Sequence, residues 1–505
     1  MLAIDQGTTN TKAMLVDAAS GLVVAQASAP TSIGFPAPGW VEQDAECLWT
    51  ASLAAIDACL AQQPDAEVLG IGVSNQRETV VCWSRSEGRP LGPALGWQDA
   101  RTAAWCADLA QRQPTAARTV RDRTGLSLDP MFSAPKFRNL IDAAVAGGAD
   151  PSDVAVGTVD SWLVWRLTGQ HVTEPGNASR TLLLDLASLT WHDELLTLFG
   201  IDASHLPELR PSDATFGVTS TLHGRLAGGV PVLAVLADSH AALYHHGCTT
   251  PGTGKATYGT GTSVMSPTSD PEPGPHGIAT TVAWHVGGRA TYAREGNIVA
   301  SGSALDWMAA TLGVPEGTAG GAHLTALAAE VPDSGGVSFV PAFSGLGAPY
   351  WDRSAVGVLV GVSGGTTRGH LARAALDAVA HQVADVVEAM ESDGSARIET
   401  LHADGGATAS QLLMQVQADL LARPLEVASS PAASALGAAR LAAEQLGVAT
   451  PPAEPGRRVT PHCTDSPQSR AARLAWGQAI ARSRGMTVSQ TDSTSSDETI
   501  ERNDP

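Results

Sequence analysis

Short apolar runs alternate along this chain with longer stretches in which apolar residues recur every three or four positions. That alternation predicts layers of helix packed on sheet. In the first half, Leu2-Ala3-Ile4 opens as a buried-type strand, and Met14–Asp17 with Gly21–Ala25 reads as a hairpin. Glu46 to Gln62 has the period of an amphipathic helix, and Val68–Val73 reads as a buried strand. Another strand ends at Gly157-Thr158-Val159-Asp160, ahead of the aromatic run Trp162–Trp165. Val230–Leu236 is a third strong strand, stopping at Asp238 before the helix-like Ala241–Tyr244. The second half repeats the theme from near Thr249, with a long helix from His370 to Met390 and a strand Leu401-His402-Ala403. Helical stretches follow over Leu412–Leu421 and from Ala435. The expected domain boundary falls near His246–Thr250, giving domains over 1–247 and 248–484. From about Arg484 the chain is rich in Ser, Thr, Asp and Glu, and 485–505 reads as a disordered tail.

Two Thr/Gly loops sit in matching places of the two halves: Asp5-Gln6-Gly7-Thr8-Thr9-Asn10 and Thr257-Tyr258-Gly259-Thr260-Gly261-Thr262. Each follows a β-prone run. Glycine lets successive backbone N–H groups approach a ligand, and threonine hydroxyls add donors, the composition of a phosphate cradle. Alone, either loop is an ordinary turn. Paired in this way they predict a duplicated domain closing on one nucleotide.

Composition narrows the class. A chain of 505 residues is too long for one core and suits two domains. A net charge of -20 leaves no basic stripe to neutralise phosphates, which argues against nucleic acid as a partner. No apolar run reaches the ~18 residues of a membrane span. The six cysteines are scattered without metal-ligand spacing and read as free thiols, and the start lacks a leader pattern, so a cytoplasmic protein is expected.

Four groups carry candidate chemistry. Asp238, at the end of a strand and the start of a helix, reads either as a helix N-cap or as a general base for a substrate hydroxyl. Asp5, beside the first loop, reads as a Mg²⁺ ligand or as an Asx-turn. Asn75-Gln76-Arg77-Glu78-Thr79 follows a buried strand as a ligand rim, where Arg77 and Glu78 offer donors and an acceptor suited to vicinal hydroxyls, or simply a surface ion pair. Trp97 adds an aromatic face, either pocket wall or core. Asp404-Gly405-Gly406 makes a weaker strand-to-helix signal.

Taken together, these residues resemble the FGGY family of carbohydrate kinases, most closely its glycerol kinase branch. The resemblance is carried in order by Asp5–Thr9, Pro38–Glu42, Ser74–Thr79, Asn177–Thr181, Tyr258–Gly261, Gly345–Asp352 and Asp404–Gly406. It implies two actin-like, RNase H-like α/β domains closing over ATP and a polyol or sugar, with Mg²⁺. It also implies a homo-oligomer, a dimer or tetramer. By residue it implies Asp238 as catalytic base and a second metal contact, with Arg77, Glu78, Trp97, Met131, Ser239 and Ser263 around the acceptor. Thr8, Thr9, Asn10, Lys12, Thr260, Gly261, Gly302, Asp306, Gly406 and Ser410 are the implied nucleotide contacts. The sequence departs from glycerol kinases where the acceptor binds. Met131 replaces a tyrosine, Ser239 a glutamine and Ser263 a phenylalanine, so a wider, more polar pocket for a four- or five-carbon polyol or keto-sugar is expected. Glycerol kinase proper is the alternative. The family's sugar-bisphosphate regulatory loop has no match in Leu222–Gly229. A mechanical actin-like ATPase would share both phosphate loops but has no use for Arg77, Glu78 and Trp97 around a small pocket.

Overall fold

The computed structural model describes residues 1–220, 224–275, 277–314, 318–392, 396–430, 432–451, 453–462 and 467–486. Part of Leu222–Gly229, Cys463 and all of the tail beyond Met486 lie outside that range.

The first half builds a six-stranded sheet from Leu2–Gln6 (β1), Asn10–Val16 (β2), Val23–Pro30 (β3), Ile71–Asn75 (β4), Gly217–Val218 (β5) and Pro231–Ala237 (β6), in the order β5-β6-β4-β1-β2-β3. β1 and β2 pair antiparallel across the first Thr/Gly loop, while β4 runs parallel to both β1 and β6. The second half builds its sheet from Thr253–Tyr258 (β7), Thr262–Thr268 (β8), Ala279–Val286 (β9), Arg289–Ile298 (β10), Thr400–Asp404 (β11), Leu425–Val427 (β12) and Arg457–Val459 (β13). Its order is β9-β10-β8-β7-β11-β12-β13. Again a hairpin, β7–β8, flanks a Thr/Gly loop, and the next strand, β11, pairs parallel with β7. The repeated half-chains are thus one topology built twice, the actin-like fold.

Ala45–Leu60 (α1) and Val159–Thr168 (α2) bury their apolar faces in the core of the first sheet, around Ile4, Leu48, Val73, Trp162 and Val235. Asp44 caps α1 by accepting from Glu46 N at 2.8 Å. Asp238–His245 (α3) continues directly from β6. In the second half, Gly302–Thr311 (α4), Arg368–Glu391 (α5) and Gln411–Leu421 (α6) pack around Val264, Leu376, Val383, Leu401 and Met414. The helix Ala433–Gln445 (α7), late in the sequence, nevertheless lies against the first sheet and α3, in a cluster with Ala3, Leu236 and Leu243. Two glycines make that approach possible. A Cβ on Gly72 would stand 2.3 Å from Ala438 O, and one on Gly437 would stand 1.9 Å from Ala241 O.

Where elements were predicted, most formed, with one informative shift. The strand expected at Val68–Val73 runs instead over Ile71–Asn75, because its parallel register with β1 begins at Leu2↔Ile71 and ends at Gln6↔Asn75. Ser74 and Asn75 therefore belong to the sheet, and Asn75 exchanges amide hydrogen bonds with Asn177 at 2.9 and 3.1 Å. Cys47, Cys59, Cys82, Cys106 and Cys248 are free thiols. Among the described residues no helix is long and apolar enough to cross a membrane.

Candidate active site

Strand register brings the candidate residues together. Gln6, Asn75 and Ala237 are aligned across three parallel strands, so Gly7-Thr8, Gln76-Arg77-Glu78 and Asp238 leave the sheet at the same edge. The carboxyl ends of parallel strands are where open α/β sheets receive ligands. In the second sheet Thr257 is level with Asp404, so Tyr258–Gly261 and Gly405-Gly406 leave side by side. A Cβ on Gly405, which has φ +95°, would stand 2.5 Å from Tyr258 O, so that position requires glycine. Thr260 O accepts from Ser301 N and Ser303 N at 3.0 and 3.1 Å, and Gly259 O accepts from Gly302 N at 2.9 Å, which seats the second loop on the start of α4.

A cavity of about 230 Å³ lies between the halves. Its walls include Thr8, Arg77, Glu78, Trp97, Met131, Asp238, Ser239, Thr260, Gly261 and Ser263, the expected acceptor set with residues of both Thr/Gly loops. Asp5, Thr9, Asn10, Lys12, Gly302, Asp306, Gly406 and Ser410 do not line it. Ser410 caps α6, accepting from Leu413 N at 3.2 Å, and Asp306 is exposed on α4. The cavity shares Trp97, Met131, Thr260, Val299 and Trp351 with a neighbouring one of about 770 Å³, so the two adjoin along that wall.

Polar contacts hold the walls. Gln76 Nε2 donates to Gln6 Oε1 and Gln43 Oε1 at 3.1 and 2.9 Å, and its own Oε1 accepts from Thr79 at 2.9 Å. The Trp97 indole N–H donates to Thr8 Oγ1 at 3.1 Å, tying the aromatic wall to the first loop. Glu78 sits at φ +59°, a backbone region costly for a residue with a Cβ, and its Oε1 accepts from Arg180 Nε at 2.6 Å. Arg77 and Glu78 are only 7% and 3% exposed, so the alternative of a surface ion pair fails: Arg77 pairs with Asp238 and Glu295, and Glu78 with Arg180.

Arg77 is the centre of charge. Its Nε lies 3.2 Å from Asp238 Oδ1, and Nη1 is paired with Glu295 Oε1. Glu295 reaches across from β10 to Arg180 as well, with Nη1 and Oε2 2.7 Å apart, and accepts the Ser263 hydroxyl at 3.0 Å. Burial opposes the Glu295 charge, but Arg180 and Arg77 outweigh it and hold the carboxyl well below its usual range. Asp238 is 37% exposed, and its Oδ1 also accepts from Ser239 N at 2.6 Å. Desolvation lifts its pKa, against the pull of Arg77. Asp5 accepts from Ser74 Oγ at 3.0 Å and is pushed up to about 6, by burial first and by the charge of Asp238 in part. Lys255, fully buried, donates to Thr257 Oγ1 at 2.9 Å and is pulled down to about 8 by burial. Asp404 pairs with His246 Nε2 at 2.7 Å.

Several of these residues escaped the sequence reading. Arg180 belongs to the motif Asn177–Thr181 but drew no role, and Glu295 and Asn297 lie in a strand without a motif. Lys136, buried, donates to Gly96 O and Met131 O at 3.0 and 2.7 Å and so sets the Met131 turn. The available signal was its rarity: it is one of three lysines.

Two RNase H-like halves, each presenting a phosphate-type loop to a shared polar cavity with a carboxylate beside an arginine, define an actin-like phosphotransferase. The N-terminal domain of FGGY carbohydrate kinases matches residues 1–244 and the C-terminal domain matches 254–446. The chain belongs to the FGGY family of carbohydrate kinases, enzymes that phosphorylate sugar and polyol alcohols with ATP. It is 41% identical over 495 residues to a glycerol kinase of Alkalilimnicola ehrlichii, spanning 96% of this chain and 98% of the relative. It is 44% identical to an apulose kinase of Pectobacterium atrosepticum, spanning 88% and 90%. Among solved structures, Plasmodium falciparum glycerol kinase with ADP superposes with a TM-score of 0.86 at 27% identity, covering 95% of this chain and 97% of that one. A xylulose kinase from Rhodospirillum rubrum gives 0.79 at 28% identity, covering 95% and 98%.

Proposed function

We propose that this kinase transfers the γ-phosphoryl group of ATP to a terminal hydroxyl of a four- or five-carbon polyol or keto-sugar. The observation that carries the reading is the cavity wall formed by Met131, Ser239 and Ser263. Where glycerol kinases are expected to carry tyrosine, glutamine and phenylalanine, these side chains leave space, and a larger cavity adjoins at Trp97 and Met131.

Asp238 acts as the general base. Its contacts with Arg77 and Ser239 N both fall on Oδ1, which leaves Oδ2 to accept the proton of the attacking hydroxyl. Arg77 and Glu78 hold the neighbouring hydroxyls, one as donor and one as acceptor, and the Trp97 ring packs on the carbon chain. Thr8, Thr9, Asn10 and Lys12 on one side, and Thr260 and Gly261 on the other, bind phosphate oxygens. Gly302, Asp306, Gly406 and Ser410 flank the adenosine. Asp5 and Asp238 would hold a divalent cation together, since the register of β1, β4 and β6 brings both carboxylates to one sheet edge, where the charge of Asp238 raises Asp5. Mg²⁺ held there with phosphate oxygens would neutralise charge on the transferring group. The remaining task of the chain is positioning, with in-line approach of one hydroxyl set by Arg77, Glu78 and Asp238.

Glycerol itself is the second reading, favoured by the glycerol kinases among the relatives. Coupled ADP release with three-, four- and five-carbon polyols and ketoses separates the two. The proposal expects a four- or five-carbon acceptor to exceed glycerol in kcat/KM. It also expects Met131→Tyr, Ser239→Gln and Ser263→Phe combined to shift preference toward glycerol. An unmutated enzyme that favours glycerol over every longer candidate overturns the proposal.

A further inference from the structure

Asn297 lies in β10, two residues beyond Glu295, so the two side chains share the strand face turned to the cavity. Gly296, between them, faces the opposite way, where a Cβ would stand 2.3 Å from Val386. Asn297 is also the direct cross-strand partner of Ser263, the position where the expected aromatic is missing. Its backbone is pinned: Asn297 O accepts from Ala348 N at 3.0 Å, and a Cβ on Gly347 would stand 2.3 Å from that oxygen.

The amide is equally constrained. With the oxygen toward Arg77, Oδ1 lies 3.5 Å from Nη2. Turned over, its nitrogen donates to Glu295 Oε1 at 3.3 Å and its oxygen accepts from Arg180 Nη2 at 3.3 Å, which satisfies both ends. That orientation uses one N–H and the oxygen. A primary amide carries two N–H donors, and Asn297 lines the cavity, so the second is left for a ligand there. Ser263 offers no competing donor there, because its hydroxyl already goes to Glu295. The space opened by Ser263 is therefore faced by a fixed, half-buried amide donor.

We propose that Asn297 is a specificity-determining residue whose second amide N–H binds an oxygen of the acceptor beyond its first three carbons. It selects polyols and keto-sugars with a hydroxyl or carbonyl at that place over glycerol, which has no atom there. This inference rests on the four- or five-carbon reading and adds the group that enforces it.

The test compares kcat/KM for glycerol, erythritol, ribitol, D-ribulose and D-xylulose in the parent enzyme, Asn297→Ala and Asn297→Ser. Melting temperature and ATP affinity serve as checks on folding. Loss of a buried donor should lower kcat/KM for the longer acceptors, through KM, by ~10-fold more than for glycerol in Asn297→Ala. Asn297→Ser, which keeps one short donor, should recover part of that difference and stays informative if the alanine variant folds poorly. Equal losses on glycerol and the longer acceptors mean that Asn297 only supports Arg77 and Arg180, and overturn the inference; so does no loss at all. A parent enzyme that prefers glycerol but turns over the longer acceptors slowly defeats the substrate reading alone, since the difference between acceptors still decides the role of Asn297. A parent enzyme with no turnover of any longer acceptor overturns both.

Discussion

A carboxylate held on one oxygen by an arginine and a backbone amide has its other oxygen available for a proton, and Asp238 is arranged in that way. Asp238→Asn keeps the shape but not the basicity. It should lower kcat by ~10²–10⁴-fold while ATP affinity is retained, as measured by single-turnover phosphoryl transfer and nucleotide titration. Activity within a few-fold of the parent would remove Asp238 from the role. Thr260→Val deletes one hydroxyl beside the second glycine loop, and ATP binding should weaken by ~1.5–3 kcal/mol, the range for a hydrogen bond to a charged group. Loss of acceptor affinity with ATP affinity intact would reverse the roles assigned to the two loops. At this scale the sequence was most legible where a residue type has a narrow chemical use. Asp5, Asp238 and the Thr/Gly loops could be named from position and composition. Arg180 and Glu295 could not, because an arginine in a turn or a glutamate in a strand is an ordinary surface choice until another element buries it.

Elements were legible in proportion to their length and periodicity. The helix expected over His370–Met390 runs from Arg368 to Glu391, and that expected over Glu46–Gln62 runs from Ala45 to Leu60. The strand at Ile71–Asn75 was displaced from its expected place because pairing with β1, rather than local hydropathy, sets its register. Two predictions belong to elements. Gly437→Ala gains helix propensity but places a methyl against Ala241 O, and overpacking should destabilise the protein by ~1–3 kcal/mol in chemical denaturation. A variant as stable as the parent would mean that α7 can move off α3 without cost. Lys136→Met removes the donor to Met131 O, while Gly96 O keeps the Asp99 N–H at 3.0 Å. A cost of ~1–3 kcal/mol and a raised acceptor KM with unchanged ATP KM are expected. An unchanged acceptor KM would separate Lys136 from the pocket.

Across the whole molecule, Glu295 joins the halves. It comes from the second sheet and pairs with Arg77 and Arg180 of the first half. Removing one partner of a buried ion pair typically costs ~3–5 kcal/mol, so Glu295→Gln should melt well below the parent at neutral pH. The sign of the pH dependence follows from the direction of the shift. Burial works against the charge, the two arginines outweigh it, and the folded-state pKa lies below the ordinary 4.5. Its contribution is therefore fully present above about 4.5 and is lost as pH falls through the depressed value. Melting curves of parent and variant should converge in strong acid. A gap that stays constant or widens on acidification would contradict the ion-pair account.

By itself the sequence determined the two-domain α/β class, the family and the paired Thr/Gly loops. Each of these rests on local order: period, turn chemistry and residues adjacent in the chain. Three features were decided only by tertiary structure. They are the placement of α7 against the sheet of the other half, the Arg77–Glu295–Arg180–Glu78 network and the position of Asn297 opposite Ser263. Each joins residues far apart in the chain, and charges become partners only when folding removes the water between them. A charged side chain in a sequence carries no mark of which distant charge will neutralise it, so the network that holds the acceptor residues in place was visible only after the halves had met.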